Sequence, residues 1–583
     1  MRSEELQPGA GAGLIARCLR TEWPSLGAGL FCALVWSIAR VAVPILTAYT
    51  IDNAITGGVD LDRLTVLCLI ILAASGVQGL AAAARRYSAF RTSYRIETDL
   101  RAALYNRVNR LSFDYHDMTS TGQLMSRGSA DLHEIQTFVV AIPINLAALL
   151  MATGAFGFML YKHAGLAIAA ICVYPMVFFV TVRFFRKLFP ATARVQQGLG
   201  NLAGTVEENV AGARLVRSFG REDHEIAKLQ RAADEIYDDN MEVTRLRTIY
   251  TPFFSLLPQL GQLVVVAYGG WLAIQGDITI GVFVAFLQFL NMLVWPVQMM
   301  GEQVASGQRA ITSAARVWNV LREEPTVRER PHAHPLPKGA GEVAFDHVDF
   351  SYLTGRQVLQ DFSLRIPAGM AVALVGPTGC GKSTIARLLP RFYDIDSGAI
   401  TIDGVDIREL KLADLRRNVG LVFEDTFLFS DTVRNNIAYG RLDASDGDID
   451  RAARLAQAYE FIDEAPSGYD TIVGEQGHSL SGGQRQRIAI ARAVLMQPRV
   501  LILDDATSSV DARMEEEIRS ALRQVMAGRT TIIISHRLST ISLADQVVLM
   551  EDGRVAAIGR HEDLMSDNPA YGEVLGQLEM ANA

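Results

Sequence analysis

The sequence predicts a six-helix polytopic membrane domain, all α, followed by an α/β domain. Half of the 583 residues are hydrophobic and 20% are charged, and the mean hydropathy of +0.18 lies between values typical of soluble enzymes and of membrane bundles. Residues 341–583 carry 24 basic and 36 acidic side chains, which leaves 31 basic and 27 acidic in residues 1–340. An acidic second half argues against nucleic acid as a partner, because binding to phosphates depends on clustered Lys and Arg.

Six stretches of the first half are long and apolar enough to cross a membrane, since a hydrocarbon core of about 30 Å needs ~20 apolar residues in a helix. The stretches are 26–49, 64–84, 138–161, 164–185, 251–274 and 278–300. Two intervening segments, 85–137 and 186–250, are long and polar, with apolar residues at helical spacing. We therefore expect helices that continue beyond the membrane.

The distribution of basic residues predicts the orientation of these spans. Segment 85–137 contains eight arginines, whereas the short loops contribute only Arg63 and Lys162. Positive residues concentrate in the cytoplasmic loops of membrane proteins. The long loops and both termini are therefore expected in the cytosol.

Three polar side chains within the spans are candidates for a substrate cavity. Arg40 lies inside the first span, where an ionisable group is costly and commonly faces protein or water. The alternatives to a cavity role for Arg40 are a structural ion pair and snorkelling of the side chain toward a membrane interface. Gln288 and Asn291 of the sixth span are weaker candidates, because such amides more often hydrogen-bond between helices.

A proline-rich, charged segment separates the two parts of the chain. Residues 323–340 cannot form a regular helix or a central strand and are read as a linker. This places a transmembrane domain at 1–322 and a second domain, the one with the excess acid, at 341–583.

A phosphate-binding loop occurs early in the second domain. The apolar run 371–375 leads directly into the motif GxxxxGK[ST] in its strand, loop and helix setting. The candidate binding residues are Gly376, Pro377, Thr378, Gly379, Cys380, Gly381, Lys382, Ser383 and Thr384. Glycines allow backbone amides to wrap phosphates, Lys382 reaches the outer phosphates, and Ser383 can ligate Mg²⁺. Cys380 is interpreted as a spacer.

A second strand supplies a candidate partner for the metal. Residues 500–504 read VLILD, which is typical of a buried strand, and Asp504 at its end is suited to hold Mg²⁺ through the water shell of the ion. The two motifs together predict a nucleotide-binding domain of the P-loop NTPase class.

Residues 480–484 read LSGGQ and lie between these two motifs. With them, the chain resembles an ATP-binding cassette (ABC) half-transporter of the exporter type over essentially its whole length. The resemblance implies the exporter-type transmembrane fold and a P-loop domain with an antiparallel β subdomain and a helical subdomain. It also implies ATP as cofactor with Mg²⁺, and a bacterial cell (inner) membrane with the ATP-binding domain in the cytosol.

In that family two cassettes meet head to tail, so that each ATP lies between the phosphate loop of one and the LSGGQ of the other. The resemblance assigns this second role to Ser481, Gly482, Gly483 and Gln484. It makes Tyr352 the aromatic that stacks on adenine and His536 the sensor of the γ-phosphate. Asp511, in SSVD, matches the segment that links the two sites, and Phe113 matches the first coupling loop.

Two positions depart from the family pattern. The residue after Asp504 is usually Glu, which orients and deprotonates the attacking water, and here it is Asp505, about one methylene shorter. A misplaced general base can forfeit much of the ~10²- to 10⁴-fold that it supplies. Glu424 stands where the family has a Gln that meets Mg²⁺ and water. A carboxylate there can still ligate the metal, but it adds negative charge beside the transferring phosphoryl group. We expect slow hydrolysis at this site.

These departures, beside an intact LSGGQ, resemble the catalytically impaired half of heterodimeric exporters. A heterodimer with a second half-transporter that carries the catalytic Glu is therefore favoured over a homodimer in which Asp505 works. The expected substrate is a lipid, a fatty acid or a hydrophobic drug, in contact with membrane lipids. Alternatives are import of a lipid or siderophore on the same fold, and a nucleotide-gated channel or regulatory subunit.

Overall fold

The computed structural model describes residues 8–56, 60–353, 355–477, 479–505 and 512–582. Within them the chain forms two compact units. The first comprises Met1–Asn109 and Thr121–Glu323, and the second comprises Arg110–Ser120 and Glu324–Ala583. The short segment Arg110–Ser120 thus belongs with the second unit, although it lies in the loop between the second and third membrane spans.

The first unit is entirely helical in the described residues. Its helices and the one short helix of the inserted segment, α4, are α1 Pro8–Thr21, α2 Trp23–Thr50, α3 Leu61–Val108, α4 Phe113–Met118, α5 Thr121–Ser126, α6 Leu132–Lys162, α7 Ala164–Ile171, α8 Tyr174–Ala211, α9 Ala213–Ser218, α10 Glu222–Val264, α11 Gly270–Gln275 and α12 Ile280–Arg322. One-turn π-helical segments occupy Ile51–Ile55, Arg127–Asp131 and Val265–Gly269. Six helical stretches are long and apolar enough to cross a membrane, so the six-span prediction is confirmed.

Polar bonds between apolar helices hold the first unit together. Ser37 of α2 donates to the carbonyl oxygen of Ala147 in α6 at 2.9 Å, and Asn145 of α6 donates to the side-chain oxygen of Gln303 in α12 at 2.7 Å. Such bonds are worth making within a bilayer because lipid offers no alternative partner. Leu14 of α1 is buried beside Val317 of α12, so the first helix is part of this unit's core.

The second unit contains two sheets. Its strands are β1 Val343–Ser351, β2 Gln357–Ile366, β3 Ala371–Val375, β4 Ser397–Ile402, β5 Val405–Asp406, β6 Val419–Val422, β7 Val500–Asp504, β8 Thr530–Ile534, β9 Gln546–Glu551 and β10 Arg554–Gly559. An antiparallel sheet has the order β2-β1-β4-β5, and a six-stranded sheet has the order β10-β9-β3-β8-β7-β6, parallel except for β10. The predicted α/β domain with an antiparallel β subdomain is confirmed.

The second unit also contains ten α-helices in the described part of residues 324–583. They are α13 Lys382–Leu388, α14 Leu412–Asn418, α15 Val433–Ala438, α16 Asp446–Leu455, α17 Tyr459–Asp463, α18 Gly482–Leu495, α19 Ala512–Met526, α20 Leu538–Ile541, α21 His561–Asp567 and α22 Pro569–Asn582. All five residues of β3 and of β8 are buried, which accounts for the continuous apolar sequence of β3 and for the three isoleucines that end β8. The carboxyl ends of β3 and β7, with β8 between them, lie at one edge of the sheet, where α13 begins.

The segment 323–340 lies against the second unit in an irregular conformation. The Leu412 amide donates to the Glu329 carboxylate at 2.7 Å, and the Leu336 amide donates to the Asp414 carboxylate at 2.6 Å. Arg499 donates to the carbonyl oxygen of Pro337 at 2.5 Å. The last two bonds satisfy backbone groups of the segment that lie outside helix and sheet.

Candidate functional site

The phosphate loop connects β3 to α13 and closes on its own lysine. Lys382 is buried, and its Nζ donates to the carbonyl oxygens of Gly376 at 2.8 Å and Pro377 at 2.9 Å. Gly381 has φ of 104°, in the left-handed region, and a Cβ there would lie 2.8 Å from a Leu359 methyl carbon. The loop is therefore shaped by glycine, and its cation sits where phosphate oxygens could replace two carbonyl partners.

Two further positions of the loop, Gly379 and Cys380, also fit their predicted roles. Gly379 also has a positive φ, of 86°, so the loop requires glycine there as well. Cys380 is buried, and burial raises the pKa of its thiol, with Lys382 opposing the shift. The neutral thiol packs in the loop, consistent with its interpretation as a spacer.

The structure brings Ser383 and Asp504 together at the junction of α13 and β7. The Ser383 hydroxyl donates to Oδ1 of Asp504 at 3.2 Å. Burial raises the pKa of the Asp504 carboxyl, the Ser383 bond opposes that shift, and the neighbouring Asp505 adds to it. A hydroxyl and a carboxylate are hard oxygen donors of the kind that Mg²⁺ prefers, so these two residues fit the metal.

Asp505 takes a strained backbone conformation directly after β7. Its φ is 47°, in the left-handed region where Asp is tolerated better than most residues, and its amide donates to the Ile534 carbonyl at 2.8 Å. Its carboxylate is buried and accepts from the Ser535 hydroxyl and the His536 amide, both at 3.4 Å. His536 Nε2 lies 3.8 Å from the other carboxylate oxygen. Asp505 is thus held by the end of β8.

Glu424 belongs to the same group of negative charges. The pKa of its carboxyl is raised, first by partial burial and then by the charges of Asp505, Asp425 and Asp504. Clustered carboxylates repel one another until a cation screens them. A cation such as Mg²⁺ would therefore relieve the repulsion in a site built this way.

Removing the Glu424 charge is expected to stabilise the metal-free protein. A carboxyl whose folded-state pKa is raised contributes stability that is present at low pH and lost as pH rises through that pKa. Glu424→Gln should therefore raise the melting temperature without Mg²⁺ or nucleotide at pH 7 by about 1 to 2 °C, a small shift because Glu424 is exposed. The difference should disappear in acid. Glu573→Gln, on an exposed site of α22, is the matched control, and an equal shift there would contradict the repulsion.

Tyr352 lies at the end of β1, next to the phosphate loop. Its hydroxyl is 3.2 Å from the Thr384 hydroxyl, and its ring meets those of Phe350 and Tyr393 edge-on, with centroids 4.9 and 5.3 Å apart. The side chain is half-buried. The residue is therefore near the loop, and one ring face can serve as a stacking surface.

The LSGGQ segment forms the start of the 14-residue helix α18. The Ser481 hydroxyl accepts from the Gln484 amide at 3.2 Å, and the Gln484 side chain accepts from the Ser481 amide at 2.9 Å, so the two residues cap the helix reciprocally. Gly482 and Gly483 form its first turn and leave its amides uncovered by side chains. This geometry suits an anion brought by another molecule.

The remaining predicted residues are not part of this site. Asp511 lies outside the described residues. Arg40 and Asn291 are exposed, Gln288 is half-buried, and Asn291 accepts from Gln262 of α10 at 2.5 Å. Asn291 thus makes the helix-to-helix bond that was the alternative to a cavity role.

Sequence reasoning missed the surface on which the inserted segment rests. The ring of Phe113 lies 4.5 Å from that of Phe392, and the Tyr393 hydroxyl donates to Asp117 at 2.6 Å. The Thr326 hydroxyl donates to Asp114 at 2.8 Å. The two adjacent aromatic residues, four and five positions after the end of the phosphate-loop helix, were the available signal. Through these contacts α4 is attached to Thr326 of the 323–340 segment and to two residues that follow α13.

Phe113→Ala is expected to loosen α4 from the second unit. Loss of the aromatic contact, worth about 0.5 to 1.5 kcal/mol beyond area burial, should raise amide exchange of Phe113–Met118 roughly tenfold. Hydrogen exchange of the full chain measures this. Met118→Ala, at a 60% exposed position on the same helix, is the control and should change exchange little. Equal exchange in both variants would show that Phe113 does not hold the helix.

A six-span helical unit joined to a P-loop domain with an LSGGQ helix defines a class of ATP-binding membrane transport proteins. The chain belongs to the ABC transporter family. Residues 26–297 match the ABC transporter transmembrane region, and residues 359–508 match the ABC transporter domain. It is a multi-pass membrane protein.

Known proteins are similar to this chain over most of its length. It is 39% identical to a multidrug efflux ATP-binding/permease protein of Mycobacterium tuberculosis, covering 94% of this chain but only 46% of that one. The chain therefore spans about half the length of that relative. It is also 39% identical to an ATP-dependent lipid A-core flippase of Syntrophus aciditrophicus, over 82% of this chain and 79% of the flippase. The structure of a bacterial Atm1-family ABC exporter with ATP bound superposes with a TM-score of 0.79 at 30% identity, covering 96% and 99% of the two chains.

Proposed function

We propose that this chain is one half of an ATP-driven exporter of a lipid, fatty acid or hydrophobic drug, located in a bacterial inner membrane with its ATP-binding domain in the cytosol. ATP and Mg²⁺ are its cofactors. The names of the relatives, a multidrug efflux protein and a lipid A-core flippase, support export of hydrophobic or amphipathic compounds.

The chain's own nucleotide site is proposed to bind ATP and hydrolyse it slowly. Lys382, Ser383 and Asp504 provide phosphate and Mg²⁺ contacts, and bound Mg²⁺ supplies charge neutralisation at the β- and γ-phosphates. Asp505 would be the general base, but its carboxylate is engaged by Ser535 and His536. Glu424 adds charge where neutralisation is needed. The single observation that carries this proposal is the pairing of an intact loop, Ser383 beside Asp504, with these two acidic departures.

The partner is proposed to be a different half-transporter. The capped α18 helix leaves Ser481–Gln484 ready to meet ATP on the partner's phosphate loop. The partner's catalytic Glu would then drive most turnover, and ATP sandwiched at both sites would favour the closed cassettes. A ligand can shift a conformational equilibrium only by its differential affinity for the two states, which this sandwich supplies.

Transport in inverted membrane vesicles tests the function. Cells express the chain with the partner half-transporter, and ATP-dependent uptake of a fluorescent phospholipid or dye is followed. We expect uptake with both chains and none when the partner's catalytic Glu is replaced by Gln. ATP-dependent efflux from the vesicles would indicate import instead, and no movement with any tested amphiphile in a complex that hydrolyses ATP would contradict the proposed transport.

A further inference from the structure

The charged residues within the six spans are few and of one sign. The spans 26–49, 64–84, 138–161, 164–185, 251–274 and 278–300 contain two charged side chains, Arg40 and Arg183, and no carboxylate. Ionisable groups are costly in a bilayer and are retained for function or pairing. Because the spans contain no Asp or Glu, an anion from outside the chain can balance the charge of these arginines.

Arg40 belongs to an ordered group on α2 and α3. Trp36 lies four residues before Arg40 and so occupies the same face of α2, one turn toward the cytosolic end. The guanidinium carbon of Arg85, from α3, lies 4.6 Å from the centroid of the Trp36 ring. Cation–π contact at this distance fixes the Arg85 head group beside that face. Arg40 and Trp36 thus share one face of α2, and Arg85 lies against the Trp36 ring; these three residues are called the ladder below.

The guanidinium groups of Arg40 and Arg85 both have N–H donors available for a ligand. Arg40 is exposed, and the Nε of Arg85 is buried without a hydrogen-bond partner. Among the described residues, no carboxylate lies within ion-pair distance of either guanidinium. Guanidinium groups bind phosphates and carboxylates through paired N–H donors, and an unmatched buried donor favours such a ligand.

The depth of the ladder indicates the kind of ligand. Arg40 lies 15 residues before the outer helical end at Ile55, or about 22 Å, and Arg85 lies 24 residues after Leu61, or about 36 Å. A hydrocarbon core of about 30 Å then places Arg85 at the inner headgroup level and Arg40 within the inner leaflet. The ladder thus leads from the cytosolic headgroup layer into the membrane.

We propose that Arg85, Trp36 and Arg40 form a binding track for the negatively charged head group of an amphiphile taken from the inner leaflet. The inference rests on the proposed export function and names its substrate class as an anionic amphiphile. Arg85 receives the head group at the interface, and Arg40 provides the next site toward the outer leaflet. The exposed apolar side chains of Phe31 and Ile38, also on α2, can meet acyl chains.

Lipid binding to the full chain in detergent tests the site. Native mass spectrometry compares phosphatidylglycerol with phosphatidylcholine of identical acyl chains. We expect phosphatidylglycerol to bind about tenfold more tightly, as a charge-assisted hydrogen-bonded pair allows. The double variant Arg40→Gln/Arg85→Gln should bring the two affinities within about twofold. Arg183→Gln, which removes the other charge within the spans, should keep the preference.

Further variants separate charge from folding. Arg40→Lys keeps a cation and should retain most of the preference, whereas a loss equal to that of Arg40→Gln would overturn the proposal. Glycerol 3-phosphate, which has no acyl chains, should bind at least tenfold more weakly than phosphatidylglycerol. Equal binding would show a site for free phosphate instead of an amphiphile. Unchanged preference in the double variant would also overturn the proposal.

Export is scored separately in vesicles that contain the chain and its partner. ATP-driven movement of a dye together with equal affinity for the two lipids would overturn the binding track and leave the export function intact. Preference for phosphatidylglycerol without ATP-driven movement of any amphiphile would contradict the export function, and the site would then be a lipid-binding site alone.

Discussion

Replacing Asp505 by Glu is expected to raise ATP hydrolysis at this chain's site about tenfold or more. The longer side chain moves the carboxylate about 1.5 Å toward the attacking water, and a positioned general base contributes ~10²- to 10⁴-fold. The expected gain in rate is smaller than the full contribution of a general base for two reasons. The backbone φ of 47° is less favourable for Glu than for Asp, and the negative charge of Glu424 is still present. The double variant Asp505→Glu/Glu424→Gln should therefore be faster than either single variant.

The measurement uses the complex in which the partner's catalytic Glu is replaced by Gln, so that only this chain's site hydrolyses ATP. Asp505→Asn is the matched control and should change the rate no more than about twofold, because the shorter carboxylate supplies little base catalysis. A tenfold or larger loss in Asp505→Asn would show that Asp505 is already an effective base. The homodimer alternative would then gain support.

Lys382→Ala is expected to weaken ATP binding at this site by about 10- to 100-fold. The Nζ of Lys382 is buried at the loop, and a charge-assisted bond to phosphate is worth roughly 1.5 to 3 kcal/mol. Titration with a fluorescent ATP analogue, on the full chain with Mg²⁺, gives the dissociation constant. An affinity within threefold of the unmodified protein would contradict the assignment of this loop.

A fold control accompanies this variant, because Lys382 also donates to the carbonyl oxygens of Gly376 and Pro377. Its removal leaves two buried acceptors without that partner, so the melting temperature should fall by a few degrees. Lys382→Arg keeps the charge and provides the comparison. Loss of affinity in the alanine variant at an unchanged secondary-structure content would locate the effect at the phosphates.

The fold was largely accessible from the sequence because its signals are local. Apolar stretches of sufficient length predict spans, and the apolar run 371–375 directly before the glycine-rich loop predicts the strand β3. The phosphate loop and Asp504 were found as motifs, and their contact through Ser383 follows because β3 and β7, parallel strands with β8 between them, end at the same edge of the sheet. Capping of α18 by Ser481 and Gln484 is likewise local.

Contacts between distant segments were not accessible. The packing of Phe113 on Phe392, and the bond from Tyr393 to Asp117, join residues nearly 280 positions apart with no shared pattern. The positive φ of Asp505 depends on the amide bond to Ile534 at the end of β8. The stacking of Arg85 on Trp36 depends on the register of two helices. Each is fixed by tertiary packing, which periodicity and spacing do not specify.

Steady-state ATP hydrolysis by the purified full chain, alone and with the partner half-transporter, tests the central claim most directly. Enzymes turn over typically at about 10 s⁻¹, and loss of a well-placed general base lowers this about 100-fold or more. We predict that the chain alone binds ATP with Mg²⁺ but hydrolyses it at about 0.1 s⁻¹ or less, and that the partner restores rapid turnover. Rapid hydrolysis by the chain alone would contradict the account.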